Sequence, residues 1–197
     1  SDLLHNVSNA LCVIAICGGL NVPMAVIAEG LGSIQQIAGR FERVDAGQDF
    51  SVIVDYAHTD DGLRNVLNAA RAICKGRVIV VFGCGGDRDK TKRPKMGAVV
   101  AQGADYCIVT SDNPRSEDPD RIMLDIEVGL QRGGKRKGEF YDMVADRTAA
   151  IQRGIALAKA GDLVLIAGKG HETYQILGPQ RIPFDDREVA RAALEAR

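Results

Sequence analysis

The chain has no excess of charge of either sign. Its 197 residues carry 25 lysines and arginines against 26 aspartates and glutamates, a net charge of -1. No global field draws it to nucleic acid or to an acidic membrane, so any anion must be bound locally. It has no Cys-x-x-Cys pair. Cys12, Cys17, Cys74, Cys84 and Cys107 are odd in number, and four of them sit within or beside apolar runs. Reduced core cysteines in a cytoplasmic protein are therefore expected, rather than a disulfide framework or a metal site. There is no long apolar run. Ala10 to Leu20 is too short to span a bilayer and lacks a basic leader or a small-residue cleavage site, so neither anchor nor signal peptide is expected. His5, His58 and His171 lie far apart without metal-ligand spacing, which argues against zinc. No G-x-x-x-x-G-K-[ST] loop occurs, so Lys169 is not a Walker lysine. Internal repeats and low-complexity tracts are also missing.

What is present suffices for a core. With 46% hydrophobic and 26% charged residues, the chain can bury one good core and a small appendage. From Val52 onward, short β-branched runs alternate with segments of helical period: Val52 to Asp55, Val78 to Phe82, Tyr106 to Thr110 and Leu163 to Ala167. Between the first two runs, Leu63, Val66, Leu67, Ala70, Ile73 and Cys74 repeat on one face, which predicts an amphipathic helix from Asp60 to Cys74. Asp118-Pro119 supplies an N-cap followed by proline at the first helical position, and Ile122, Met123, Ile126 and Leu130 continue the stripe. A further helix is expected from Asp146 to Ala160. Strands buried on both faces and separated by helices imply an α/β, doubly wound, mostly parallel Rossmann-like sheet. Gly133 to Gly138 reads as a solvated loop.

Residues 1–38 read differently. Asn6 to Gly18 and Pro23 to Leu31 are expected to be two helices with no strand of their own. Such a pair cannot bury both apolar faces, so it is expected to belong to an incomplete preceding domain, with the boundary before Gly39-Arg40 and the second domain over residues 39–197.

Each of the four apolar runs is followed at once by a polar segment containing glycine, proline or histidine. These are Asp55-Tyr56-Ala57-His58, Gly83 to Asp89, Ser111-Asp112-Asn113-Pro114-Arg115 and Gly168-Lys169-Gly170-His171-Glu172. Carboxyl ends of parallel strands lie along one edge, where ligands bind, so the four segments are expected to converge on one crevice. Each has a plain reading too. Gly83 to Arg88 has a minor reading as a glycine-rich turn that merely ends a strand, and Arg88 replaces the third glycine of a dinucleotide fingerprint, which disfavours an NAD-type oxidoreductase. Asp112 to Arg115 reads equally as a proline turn with an Asx cap. Clustered charge at Asp87, Arg88 and Asp89 tips the balance towards a site.

Taken together with Lys92-Arg93-Pro94, Asn6-Val7-Ser8-Asn9 and Gly39-Arg40-Phe41-Glu42, these segments resemble the Mur ligase family over essentially the whole chain, most closely its diaminopimelate-adding branch. The resemblance implies a three-domain, ATP-dependent amide ligase of peptidoglycan synthesis. This chain would be the last domain plus the closing helices of the central one. The phosphate loop, the Mg2+ ligands and the UDP-MurNAc-dipeptide site would lie in the central and N-terminal domains, so the chain alone is expected to be inactive. By resemblance, Arg88, Asp112, Asn113, Arg115, Gly168 and Glu172 bind meso-diaminopimelate. Asn6, Asn9, Arg40, Asp55, Tyr56 and His58 approach ATP. Asp60 departs from the family, which usually has proline there. Independently of the resemblance, a diamino dicarboxylate needs planar cations for its carboxylates and an anion for its distal ammonium, and Arg88, Arg115, Asn113 and Glu172 supply that set. The competing reading is a freestanding nucleotide- or amino-acid-binding module that performs no chemistry. Murein-peptide recycling ligases and folylpolyglutamate synthases are disfavoured by the Asp-Asn-Pro-Arg and Gly-Lys-Gly-His-Glu segments.

Overall fold

The structure, a computed structural model, describes residues 2–33 and 37–197, with side chains from residue 7 onward. It divides into two compact units, Ser1–Ile37 and Ala38–Arg197. The first holds helices α1 (Asp2–Gly19) and α2 (Met24–Ser33). Asn21, at φ 58°, takes the left-handed turn that ends α1, a conformation asparagine tolerates. Leu11, Ile16, Leu20, Met24 and Val26 each stay more than half exposed.

The second unit runs β1 (Glu42–Arg43), β2 (Ser51–Asp55), α3 (Asp60–Ile73), β3 (Val78–Phe82), α4 (Lys92–Gly103), β4 (Tyr106–Val109) and α5 (Pro119–Arg132). It continues with β5 (Tyr141–Met143), α6 (Arg147–Leu157), β6 (Leu163–Ala167), the hairpin β7 (Tyr174–Leu177) and β8 (Gln180–Pro183), and α7 (Asp186–Glu195). The main sheet has the order β1-β2-β6-β3-β4-β5 and is parallel except for β1 at its edge.

Alternation along the strands divides the core in two. Val78, Val80 and Phe82 of β3 face the cluster built with α3, α4 and α5, while Ile79 and Val81 face the cluster built with α6 and α7. Both faces are thus covered, as expected of continuous apolar strands. Helix starts are fixed by local chemistry: Thr59 accepts from the Gly62 amide, Asp118 from Asp120, Asp146 from Ala149 and Asp185 from Arg187. Asp60 and Asp61 place acid in the first turn of α3, favourable against the helix dipole.

Helices α4 and α5 cross at two glycines. A Cβ at Gly97 would lie 2.2 Å from the Ile126 carbonyl oxygen, and one at Gly129 would lie 1.9 Å from that of Pro94. Side-chain-free surfaces let the two backbones touch.

Several elements have no counterpart in the sequence reading: β1, β5, the β7–β8 hairpin, α4 and α7. The cysteine expectation also needs correcting. All five are free, but Cys12 is exposed, Cys17 and Cys74 are half-buried, and only Cys84 and Cys107 are core residues. Cys12 and Cys17 lie on α1, whose apolar run remains largely open to solvent instead of forming a core. The 133–138 loop is mostly exposed as expected, although the Lys135 ammonium sits 4.2 Å from the centre of the Phe140 ring.

Candidate functional site

The loops after β2 and β3 lead to helices on one face of the sheet, whereas the loop after β6 leads through the hairpin to α7 on the other. Because β6 lies between β2 and β3, chain segments part at this carboxyl edge and leave a crevice. A cavity of about 350 Å³ opens there, lined by Tyr56, His58 and Thr59, by Gly85, Arg88 and Lys92, by Asp112, Asn113 and Arg115, and by Gly168, Glu172 and Tyr174. It draws on all four strand-end segments. Of the amino-acid candidates, Arg88, Asp112, Asn113, Arg115, Gly168 and Glu172 all border it. Of the nucleotide candidates, Tyr56 and His58 do.

Backbone constraints bring these residues together. Gly168 holds φ 120°, which favours glycine. Gly170 packs so closely that a Cβ would lie 2.6 Å from Tyr56 Cβ. Arg115 holds φ 53°, its amide donating to Ile176 O and its carbonyl accepting from the Gly178 amide, which ties it to the hairpin. Its Nη1 donates to Gly86 O at 2.8 Å and Asn113 O at 3.3 Å. Neither Arg115 nor Arg88 forms an ion pair among the described residues. Arg88 is exposed and donates to the Asp87 carbonyl.

The lining also carries acid, from Asp112 and Glu172. Glu172 Oε2 accepts from Asn113 Nδ2 at 3.0 Å. Asp112 is 9% exposed, and its buried Oδ1 pairs with the Lys169 ammonium at 3.4 Å.

Three buried cations support the site, and none of them was assigned a role from sequence. Lys169 lies behind the lining, fully buried, with Nζ donating to Asn113 Oδ1. Burial pushes its pKa below the ordinary lysine value, while the Asp112 charge pulls it back up. Arg147 pairs bidentately with Asp186, both fully buried, and donates to Ser111 O and Ala167 O, the carbonyls just before Asp112 and Gly168. Burial acts against the Arg147 charge, but Asp186 outweighs it and raises the pKa. Arg93 grips Glu117 and Asp125. Glu117 in turn accepts from the Asp87 amide and pairs with Lys90 at 3.2 Å. The Arg93 hydrogen bonds lower the Glu117 pKa to about 2.

The remaining nucleotide candidates lie away from the lining. Arg40 is exposed and stacks 5.0 Å from the centre of the Tyr56 ring, which also lies 4.6 Å from His58 and 5.2 Å from His171. The Asp55 carboxylate accepts from the amides of Phe41 and Ala57, so its visible work is shaping two loops. Asn9 is exposed on α1 in the other unit, and the Asn6 side chain lies outside the described residues. Lys92 and Tyr174, which also line the cavity, were not assigned to it from sequence. Tyr174 belongs to the hairpin, which carries no apolar alternation to announce it.

A family model described as "Mur ligase, glutamate ligase domain" matches residues 39–170. The chain belongs to the Mur ligase family. It is 53% identical over 191 residues to a UDP-N-acetylmuramoyl-L-alanyl-D-glutamate–2,6-diaminopimelate ligase of Bacillus licheniformis, covering 97% of the chain and 38% of the relative. A ligase of the same name from Nostoc sp. is 52% identical over 195 residues, covering 98% and 38%. A solved structure of a ligase with that name superposes with a TM-score of 0.75 at 36% identity, over 97% of this chain and 38% of the other. The chain thus spans about 38% of the length of the curated relatives it matches, and corresponds to their C-terminal Mur ligase domain.

Proposed function

We propose that the chain is the amino-acid-binding part of an ATP-dependent ligase that joins meso-diaminopimelate to UDP-N-acetylmuramoyl-L-alanyl-D-glutamate in peptidoglycan synthesis. The observation that carries this reading is the charge layout of the cavity. Arg88 and Arg115 have no carboxylate partner among the described residues, while Glu172 and Asp112 border the same space. Meso-diaminopimelate bears an ammonium and a carboxylate at each end. Guanidinium groups suit the carboxylates, and acidic oxygens suit the ammonium. The names of the relatives support diaminopimelate over other amino acids.

In this reading ATP phosphorylates the D-glutamate side-chain carboxylate, the bound amine attacks the acyl phosphate, and phosphate leaves through a tetrahedral intermediate. The share of this chain is to hold the amine in place, which converts a bimolecular encounter into an oriented one. Arg40, Tyr56 and His58 offer a cation and aromatic faces to the nucleotide, with Asp55 shaping their loop. Asn6 and Asn9, on a helix assigned to the end of the central domain, would meet the adenine. Among the described residues no cluster of histidine, cysteine, aspartate or glutamate could hold a metal ion. By the family resemblance, Mg2+ and the phosphate loop are assigned to the central domain and the UDP-sugar to the N-terminal one. The soluble substrates place the reaction in the cytoplasm, and among the described residues no helix is long and apolar enough to cross a membrane.

Calorimetry of this chain with meso-diaminopimelate, L-lysine and ATP in turn tests the reading. Meso-diaminopimelate should bind and L-lysine should bind at least about a hundredfold more weakly, because a site built for a carboxylate rejects an analogue lacking it. Equal binding of the two, or none of meso-diaminopimelate, would overturn it.

A further inference from the structure

Lys169 follows Gly168 in the chain but does not line the cavity. Its Nζ donates to Asn113 Oδ1 and to Tyr174 O, each at 2.8 Å, and lies 3.4 Å from Asp112 Oδ1 and 3.7 Å from Glu172 Oε2. All four of these partners border the cavity. A fully buried ammonium is costly, and an apolar side chain of similar volume would fill the same space with less desolvation. Directing every one of its partners at a single cavity wall gives this lysine a role beyond packing.

The wall itself shows what that role is. Asn113 Oδ1 accepts from Lys169 Nζ and, at 3.0 Å, from the Ile176 amide. Its Nδ2 donates to Glu172 Oε2. Were the amide turned over, Nδ2 would face two donors and Oδ1 would face a carboxylate. One orientation alone is compatible with a charged lysine. That orientation holds Glu172 by one oxygen, while the Lys169 ammonium pairs with Asp112 Oδ1 at 3.4 Å and offsets both neighbouring carboxylates.

We propose that Lys169 is a positioning residue, whose buried ammonium sets the Asn113 amide and aims Asp112 and Glu172 at an ammonium group of the bound amino acid. This rests on the amino-acid reading of the cavity. Lys169 touches no reacting atom; it acts through the three residues in front of it.

The test is calorimetry of wild type and Lys169→Met with meso-diaminopimelate, alongside side-chain amide spectra from nitrogen-15 NMR. Failure of wild type to bind counts against the amino-acid reading itself. Where wild type binds, folded Lys169→Met should lose about tenfold or more in affinity, the scale of hydrogen bonds to a charged group. The Asn113 side-chain amide resonances should move as well. Unchanged affinity with unchanged Asn113 resonances, in a variant that melts at a lower temperature, marks a merely structural lysine and overturns the proposal. Should Lys169→Met not fold, the wild-type Lys169 amino group decides the matter. A charged amine protected from exchange at pH 7 supports the proposal, and a neutral amine overturns it.

Discussion

Arg115 combines a left-handed backbone, at φ 53°, with a guanidinium that has no carboxylate partner among the described residues. An L-residue in that region costs roughly 1–2 kcal/mol, and here the strain sits beside the cavity that Arg115 lines. Arg115→Gly should therefore be more stable than Arg115→Ala by about 1 kcal/mol in urea denaturation, since both lose the side chain and only glycine relaxes the backbone. In the full-length ligase, Arg115→Ala should lower kcat/KM for meso-diaminopimelate by about two orders of magnitude or more, and that for lysine far less. An equal fall for ATP and both amino acids would make Arg115 structural. Glu117 gives a pH signature of its own. With its folded pKa near 2, below the ordinary value of 4.5, its stabilising contribution is fully present above about pH 4.5 and is lost as pH falls through 2. Glu117→Gln should thus melt below wild type at pH 6, and the gap should close between pH 4.5 and 2.

Elements were legible in proportion to how one-sided or how enclosed they are. Strands β2, β3, β4 and β6 are apolar runs because helices cover both sheet faces. Helices α3 and α5 show a stripe because one side of each faces water. Helix α4 hides its period, since it packs between α3 and α5 and buries Arg93, Met96, Gly97, Val99 and Val100. Edge strands of two or three residues are too short for a pattern, and the hairpin reads Tyr-Gln-Ile-Leu and Gln-Arg-Ile-Pro without alternation. The α4–α5 crossing invites a direct test. Gly97→Ala gains helix propensity of about 1 kcal/mol, but its methyl group meets the Ile126 carbonyl at 2.2 Å. Overpacking of this kind should dominate and lower stability by about 1–3 kcal/mol, visible as a lower denaturation midpoint. A gain in stability would show that the two helices separate at little cost.

For the whole molecule, the proposed reading gives this chain the orientation and charge for an amino acid, and gives the phosphate loop and Mg2+ ligands to the preceding domains. The purified chain should therefore neither hydrolyse ATP nor form the amide product at an enzymatic rate, as judged by phosphate release and product chromatography. Measurable turnover would sink the proposed division of labour between this chain and the preceding domains.

By itself the sequence determined the parallel α/β architecture, because an apolar run long enough for a strand and a stripe at helical spacing are local facts. It also marked the carboxyl-edge segments, because each strand ends abruptly in glycine, proline or charge. The tertiary structure alone decided which charges pair within the protein and which have no charged partner among the described residues. Lys169, Arg147 and Arg93 look like any surface cations in one dimension, yet each is buried against carboxylates or carbonyls 3 to 57 residues away in the chain. Asp55 accepts from two backbone amides 14 and 2 residues away, contacts that arise only in the folded chain. Electrostatic roles depend on distance and desolvation, which arise only once the chain has folded.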